Sequence, residues 1–231
     1  GLVGSEMCIR DSIVSLGSWN IEMIRKECNT TSKLDALSFP YEPNEYSLSV
    51  KRNYLSYAHK KCLKIAVYTK EEGKRVPNIL QYILKKASED FEKKGIRLDI
   101  NFFGLKNNYA VSVGKNLGKL TKKQLVELYN NCDFGMCASM TNISLVPYEM
   151  LATGLPVIEF SDGSYSDFLP ETSATLIDYN YHTLVMKLEE LLKNPKIIEK
   201  QIEIGRTALE KLSWENTASE FDKILQSLLE K

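Results

Sequence analysis

The order of strand-like and helix-like segments predicts an α/β fold, in which a parallel sheet carries helices on both faces. From Leu63 onward, short apolar runs alternate with longer amphipathic segments, which is the pattern of repeated strand–helix–strand units. Residues 155–160 form an almost continuous apolar run, as in a parallel strand that is buried on both faces. Residues 77–94 place apolar side chains at helical spacing, and this stripe consists of Ile79, Ile83, Ala87 and Phe91.

The chain before Leu63 predicts a separate, incomplete α/β piece followed by a linker. Residues 13–16 form a strand, residues 19–27 a helix and residues 34–39 a second strand. Pro40 and Pro43 cannot continue a strand ladder, so a turn is expected there. Residues 44–61 have no apolar core of their own and predict an exposed connection, with contact to anionic lipid as the alternative. The tyrosines of this connection are Tyr46, Tyr54 and Tyr57.

Beyond the linker, each predicted element follows the last at short spacing. Thr121 is expected to cap a helix that runs through Asn131. The predicted strands are residues 63–69, 96–103, 110–113, 133–138, 155–160 and 174–177. The predicted helices are residues 77–94, 121–131, 147–152, 182–192, 195–212 and 214–229.

Composition excludes several classes of function. The chain has 231 residues, with 30 Lys and Arg against 30 Asp and Glu, so it lacks the basic excess of a nucleic-acid binder. Its two histidines leave little material for a histidine-based triad or metal site. Five scattered cysteines contain no C-x-x-C pair and are expected to be reduced thiols. No apolar run reaches the roughly 20 residues that span a bilayer.

The first twelve residues do not fit the rest of the sequence. They have neither the basic nor the apolar region of a signal peptide. Residues 7–12, Met-Cys-Ile-Arg-Asp-Ser, match one translated frame of a common sequencing adapter. We therefore expect residues 1–12 to be an adapter-derived scar and the natural protein to continue upstream of Ile13.

In a parallel sheet, ligands bind beyond the carboxyl ends of the strands. The loops that follow the predicted strands are therefore the places to look for a site. They are residues 70–76, 104–109, 114–120, 139–146 and 161–169.

Residues 132–160 carry the most informative motif, a strand that ends in Ser139 followed by a loop, a helix and another strand. This stretch resembles the donor-binding half of group-1 (family 4-like) GT-B glycosyltransferases. The positions that match the family motif Pro-x-Glu-x-x-Ala-x-Gly-x-Pro-Val are Pro147, Glu149, Ala152, Gly154, Pro156 and Val157. The resemblance covers most of residues 63–231. The Tyr-Glu-Met sequence and Arg75 at the start of its helix favour the rhamnan-synthesis-like subgroup.

The resemblance implies a Rossmann-like domain that binds a nucleoside-diphosphate sugar as donor substrate, with no further cofactor and no metal. Backbone N–H groups at the helix start would hold the diphosphate, and Glu149 would accept hydrogen bonds from the ribose. Arg75 and Lys70 are the predicted catalytic residues, which would stabilise the leaving diphosphate, and Gly104 would allow close backbone approach. The predicted donor-binding residues are Gly104, Ser139, Thr141, Asn142, Ser144, Leu145, Val146 and Glu149.

One position departs from the family pattern. The E-x7-E motif of the family would place its first glutamate at Thr141. In the family this carboxylate meets the hydroxyls of the donor sugar. Thr141, Asn142 and Ser144 would have to replace its contacts, or the donor would be a deoxysugar that lacks the hydroxyl.

The predicted function is that of a cytoplasmic enzyme fragment that transfers a sugar, with retention, to a saccharide acceptor in polysaccharide synthesis. Peripheral contact with the inner face of the membrane is an alternative. The predicted partners are the nucleotide sugar, the saccharide acceptor and a missing amino-terminal domain, and not nucleic acid. Two other functions stay open, a non-catalytic nucleotide-sugar-binding module and a GT-B sugar-nucleotide epimerase. The predicted domains are residues 13–45 (end of the amino-terminal domain), 46–62 (linker), 63–212 (nucleotide-sugar-binding domain) and 213–231 (terminal crossover helix).

Overall fold

The computed structural model describes residues 12–42, 46, 52–71 and 73–229. Contacts between residues divide the chain into a terminal unit, Gly1–Glu42 with Leu209–Lys231, and a sheet unit, Pro43–Ala208. Residues 1–11 of the predicted adapter scar lie outside the described residues. In chain order the elements are β1 (Ser12–Leu16), α1 (Ser18–Glu27), β2 (Lys33–Leu37), β3 (Cys62–Tyr68), α2 (Pro77–Lys93), β4 (Arg97–Phe103), β5 (Lys115–Asn116), α3 (Lys122–Asn131), β6 (Phe134–Met136), α4 (Val146–Ala152), β7 (Val157–Phe160), α5 (Tyr165–Phe168), β8 (Ala174–Ile177), α6 (Tyr181–Lys193), α7 (Lys196–Leu209) and α8 (Trp214–Leu229).

The terminal unit joins the two ends of the described chain. Strands β1 and β2 pair in parallel, connected by the helix α1. Helix α8 is fastened to the end of β2 because the Glu220 carboxylate accepts hydrogen bonds from both the backbone N–H and the hydroxyl of Ser38, each at 2.7 Å. The Thr217 hydroxyl donates to the Ser38 carbonyl oxygen at 3.1 Å.

The sheet unit is built on a six-stranded parallel sheet with the order β5-β4-β3-β6-β7-β8. The α/β prediction is thereby confirmed. Because every strand points the same way, the loops that leave the strands lie along one edge. Strand β3 lies between β4 and β6, so the loops after β3 and β6 are neighbours at the centre of that edge.

Apolar side chains on both faces of the central strands form the core. Leu63, Ile65 and Val67 on β3 are fully buried, and so are Ile83 and Phe91 on the inner stripe of α2. Helix α2 begins with Pro77. An N–H at the first position of a helix has no intrahelical acceptor, so proline, which lacks this group, loses no hydrogen bond there. Helix α3 begins with the predicted cap, in which the Thr121 hydroxyl and the Gln124 side chain form a reciprocal capping box.

The predicted strand at residues 110–113 is wrong. The edge strand β5 lies later, at Lys115–Asn116, and pairs with β4. The backbone N–H of Ser112 donates at 2.7 Å to the side-chain oxygen of Gln81 on α2, so this segment bonds to a helix instead of a strand.

The prediction that residues 44–61 form an exposed connection holds for most of the described part but is wrong for two tyrosines. Tyr46 and Tyr57 are buried. The Arg52 guanidinium donates to the carbonyl oxygens of Tyr129, Cys132 (2.7 Å) and Thr153 (3.3 Å), which lie at the carboxyl ends of α3 and α4. A cation at two helix carboxyl ends satisfies carbonyl groups that have no intrahelical donor. Sequence pattern does not reveal this because every partner is more than 70 residues away.

No helix formed by the described residues is long and apolar enough to cross a bilayer.

Candidate functional site

Backbone hydrogen bonds draw together the loops at the carboxyl edge of the sheet. The Thr69 N–H donates to the Phe103 carbonyl oxygen at 3.1 Å, and the Gly104 N–H donates to the Gly118 carbonyl oxygen at 2.8 Å. On the other side of β3, the Ser164 N–H donates to the Ser139 carbonyl oxygen at 2.6 Å. All of the predicted site residues lie in these loops or in the first turn of α4.

A basic cleft of about 390 Å³ opens at the ends of β3 and β4. Lys70 was predicted here; Lys106 and Lys119 were not singled out, although both follow strand ends. The Lys106 ammonium lies 2.7 Å from the Glu71 carboxylate, and this hydrogen bond lowers the pKa of Glu71. With three ammonium groups against one carboxylate among the described lining residues, the cleft favours an anion. Its lining is Lys70, Glu71, Gly104, Lys106 and Lys119.

Gly104 is placed where only glycine fits. Its φ is +94°, and a Cβ atom there would lie 2.6 Å from the Thr69 carbonyl oxygen and 3.0 Å from the Tyr68 ring. The absence of a side chain keeps the floor of the basic cleft open and allows the loops after β3 and β4 to approach each other.

Arg75 does not line this cleft. Its side chain is 3% exposed, and its Nη1 donates to the Ala138 carbonyl oxygen at 2.9 Å. The guanidinium lies 5.7 Å from the centre of the Tyr68 ring, and its Nε has no partner among the described residues. The structure therefore places Arg75 below the start of the loop after β6, and Lys70 separately in the cleft.

Ser139 is fully buried, and its polar atoms are occupied within the protein. Its hydroxyl donates to Glu159 at 2.6 Å and its backbone N–H donates to the other oxygen of the same carboxylate at 3.0 Å. Burial raises the pKa of Glu159 to about 7, against the lowering effect of these hydrogen bonds and of Arg75. Glu159 was not predicted as a site residue. The sequence signal that could have indicated it is a single carboxylate within the otherwise apolar run of residues 155–160.

The loop between Ser139 and α4 exposes several of the predicted residues. Thr141 and Asn142 are exposed, and their side chains make only local contacts, at 3.3 Å to each other and 3.4 Å to the Ile143 carbonyl oxygen. The Ser144 hydroxyl is buried without a partner among the described residues. Leu145 is 43% exposed, and Val146, which begins α4, is buried.

Glu149 is 8% exposed in the first turn of α4, and a buried tyrosine holds it in place. The Tyr129 hydroxyl donates to Glu149 Oε2 at 2.8 Å. Burial and the neighbouring carboxylate both raise the pKa of Tyr129, so the phenol stays protonated. The Tyr129 ring also contacts Phe103 with centroids 5.9 Å apart, so Tyr129 connects Glu149 to the end of β4. Tyr129 was not predicted, because its partner is 20 residues away.

Among the described residues, no group of three or more His, Cys, Asp or Glu side chains could hold a metal ion.

No protein-family model matches the chain, and no curated protein matches it in sequence. Solved structures do match. Sucrose-phosphate synthase from Thermosynechococcus elongatus is 13% identical with a TM-score of 0.72, over 94% of this chain and 58% of that one. A UDP-forming trehalose-phosphate synthase from Burkholderia xenovorans is 11% identical with a TM-score of 0.70, over 96% and 62%. HepE from Anabaena, solved with UDP-glucose, is 12% identical with a TM-score of 0.67, over 95% and 64%.

The fold is that of a GT-B glycosyltransferase. Sequence identities this low show the fold alone, and the resemblance inferred from residues 132–160 is confirmed at that level. The chain spans less than two thirds of each of these structures, so it corresponds to part of the GT-B fold.

Proposed function

We propose that the carboxyl edge of the sheet unit binds the donor of a GT-B glycosyltransferase, a nucleoside-diphosphate sugar. The observation that carries this proposal is that one buried tyrosine connects an oriented carboxylate to the strand end at the anion-favouring cleft. Lys70, Lys106 and Lys119 surround Gly104. Tyr129 bridges from Phe103, the residue before Gly104, to Glu149. A diphosphate needs cations, and an adjacent ribose needs an acceptor for its hydroxyl hydrogens.

The residues suggest a division of tasks. The lysines would neutralise the diphosphate and stabilise the charge that develops on it as the glycosidic bond breaks. Glu149, held by Tyr129, would accept hydrogen bonds from ribose. The N–H groups of Thr141, Asn142, Ile143 and Ser144 donate to no described residue and would be free for the phosphates or the sugar.

We further propose that the whole protein transfers the sugar with retention to a saccharide acceptor in polysaccharide synthesis on the cytoplasmic side of the membrane. Acceptor binding would come from a second α/β domain, since the matched GT-B structures are longer than this chain. Their names support a sugar acceptor in general, because sucrose-phosphate synthase and trehalose-phosphate synthase both make glycosidic bonds. They do not name the acceptor of this protein.

Binding of UDP-glucose to the chain, measured by isothermal titration calorimetry, tests the donor site. Glu149→Ala should weaken binding by about 1.5 to 3 kcal/mol, since it removes a charged hydrogen-bond acceptor. Glu189→Ala is the matched control, because this carboxylate pairs with Lys94 on the surface, outside the loops of the proposed site. Equal affinity for both folded variants would remove Glu149 from the site.

A second function is favoured by Thr141, which stands where the family has a carboxylate and is exposed without a buried partner. A protein that binds the donor but does not transfer it would tolerate this loss. The test is to assay the full-length protein for sugar transfer from a panel of nucleotide sugars. Donor binding without transfer or turnover would favour the binding module.

A further inference from the structure

A buried network of hydrogen bonds around Glu159 connects three loops of the proposed donor site. Glu159 on β7 is fully buried, and both of its oxygens accept hydrogen bonds from Ser139, at 2.6 Å from the hydroxyl and 3.0 Å from the backbone N–H. Ser139 is the last buried residue before the exposed part of the loop that leads to α4. Glu159 therefore fixes the point from which this loop departs.

The same serine is held from the opposite side by the loop after β7. The Ser139 carbonyl oxygen accepts from both the backbone N–H (2.6 Å) and the hydroxyl (3.0 Å) of Ser164, which is also fully buried. A Cβ atom on Gly163 would lie 2.6 Å from this carbonyl oxygen, so the glycine permits the close approach. The backbone N–H, the hydroxyl and the carbonyl oxygen of Ser139 thus each have a protein partner.

Arg75 connects the loop after β3 to the segment around Ser139. Its guanidinium donates to the carbonyl oxygen of Ala138, the neighbour of Ser139, and its own carbonyl oxygen accepts from the Thr69 hydroxyl at 3.1 Å. The positive charge of Arg75 favours the ionised form of Glu159. These buried hydrogen bonds connect the loops after β3, β6 and β7, and linked polar groups of this kind orient one another.

The groups that face Glu159 leave it as the titrating member of the network near neutral pH. Arg75 is a permanent cation. Burial raises the pKa values of the Cys137 thiol, just after β6, and of the Tyr165 phenol on α5, so both stay neutral. Burial of Glu159 itself brings its pKa to about 7.

We propose that Glu159 is a positioning residue for the nucleotide-sugar site: its ionised carboxylate holds Ser139, and protonation releases the loop at residues 140–145 and weakens donor binding. This inference rests on the proposed donor site. An ionised carboxylate offers acceptor sites on both oxygens, whereas a protonated one turns one oxygen into a donor. One of the two Ser139 hydrogen bonds must then break or rearrange.

Hydrogen exchange on the ligand-free protein tests the positioning step by itself. At one fixed pH of about 8, Glu159→Gln should speed exchange of the Ser139 amide, which bonds to Glu159, and of the Ser164 amide, which bonds to Ser139, by about tenfold, as expected for the loss of a charged hydrogen bond. Thr175→Val is the matched control, since it removes a buried hydroxyl on β8 that bonds to Gln201. Unchanged exchange of the Ser139 and Ser164 amides in a folded Glu159→Gln protein would overturn the inference.

The pH dependence of UDP-glucose affinity tests the consequence for binding. This ligand has no phosphate monoester, so its own charge stays constant around neutral pH. Wild-type affinity should fall by about tenfold between about pH 8 and pH 5.5, while Glu159→Gln should bind weakly at every pH. A purely structural role would change stability but leave both affinity profiles parallel, which would contradict the inference.

Two outcomes separate this inference from the proposed function. If wild type binds UDP-glucose at no pH, the proposed donor site is wrong. If it binds with the same affinity across this range, the donor site stands and the role of Glu159 is wrong. Should Glu159→Gln fail to fold, Ser139→Ala removes only the hydroxyl hydrogen bond and should give a smaller increase in loop exchange; no increase would count against the inference.

Discussion

The buried carboxylate of Glu159 should make the sheet unit less stable as the pH rises. The pKa of Glu159 is about 7 in the folded protein against 4.5 for the ordinary glutamate side chain. Its contribution to stability is therefore fully present below pH 4.5 and is lost as the pH rises to about 7. The difference of about 2.5 units corresponds to about 3 kcal/mol. Because the side chain is fully buried, no reduction for solvent screening applies.

Urea unfolding of wild type and Glu159→Gln at a series of pH values measures this pH-dependent contribution of Glu159 to the free energy of unfolding. The difference between the two proteins isolates Glu159, since the other titrating groups are shared. Both tryptophans, Trp19 and Trp214, lie in the terminal unit, so far-UV circular dichroism and tyrosine fluorescence should be used to follow the sheet unit.

We expect the free energy of unfolding of Glu159→Gln, measured relative to that of wild type, to rise by about 3 kcal/mol between about pH 4.5 and pH 8. Parallel stability curves for the two proteins would refute the reasoning, because they would mean that Glu159 has the same pKa folded and unfolded.

Three further substitutions test other contacts. Gly104→Ala should destabilise the protein by about 1 to 3 kcal/mol more than Gly95→Ala in urea unfolding, since both glycines have positive φ but only the first would place its Cβ against backbone. Arg52→Met should lower the free energy of unfolding by about 2 to 4 kcal/mol in the same measurement, because it removes donors from three carbonyl groups. A loss below about 0.5 kcal/mol, which is the scale of an ordinary surface substitution, would contradict the anchoring role. Tyr129→Phe should weaken UDP-glucose binding by about threefold to tenfold by calorimetry, since it removes a hydrogen bond that orients Glu149, and unchanged affinity would show that the hydroxyl does not orient it.

The fold could be predicted wherever local pattern decides it. Strand β8 and helix α8 have the predicted bounds, Ala174–Ile177 and Trp214–Leu229, because each has an uninterrupted pattern between clear stops. Strand β5 was misplaced because it is only two residues long, and tertiary pairing with β4 defines it. Propensity has little influence on so short an element.

The site could be predicted only as a set of loops. Lys70 and Gly104 line one cleft, as their positions at strand ends indicate, but Arg75 is buried under a neighbouring loop. Glu159 and Tyr129 were missed for the same physical reason. A buried polar side chain depends on partners distant in sequence, here Ser139 for Glu159 and Glu149 for Tyr129, and periodicity records burial without naming partners.

The location of the donor site is the central claim, and a hydrogen-exchange footprint of UDP-glucose on the whole chain tests it most directly. We predict slower exchange on ligand addition in residues 104–109, 117–120 and 139–149, and no change in residues 54–61 and 189–193, which lie at the opposite edge of the sheet unit. Protection confined to those opposite segments, or no protection at saturating ligand, would contradict it.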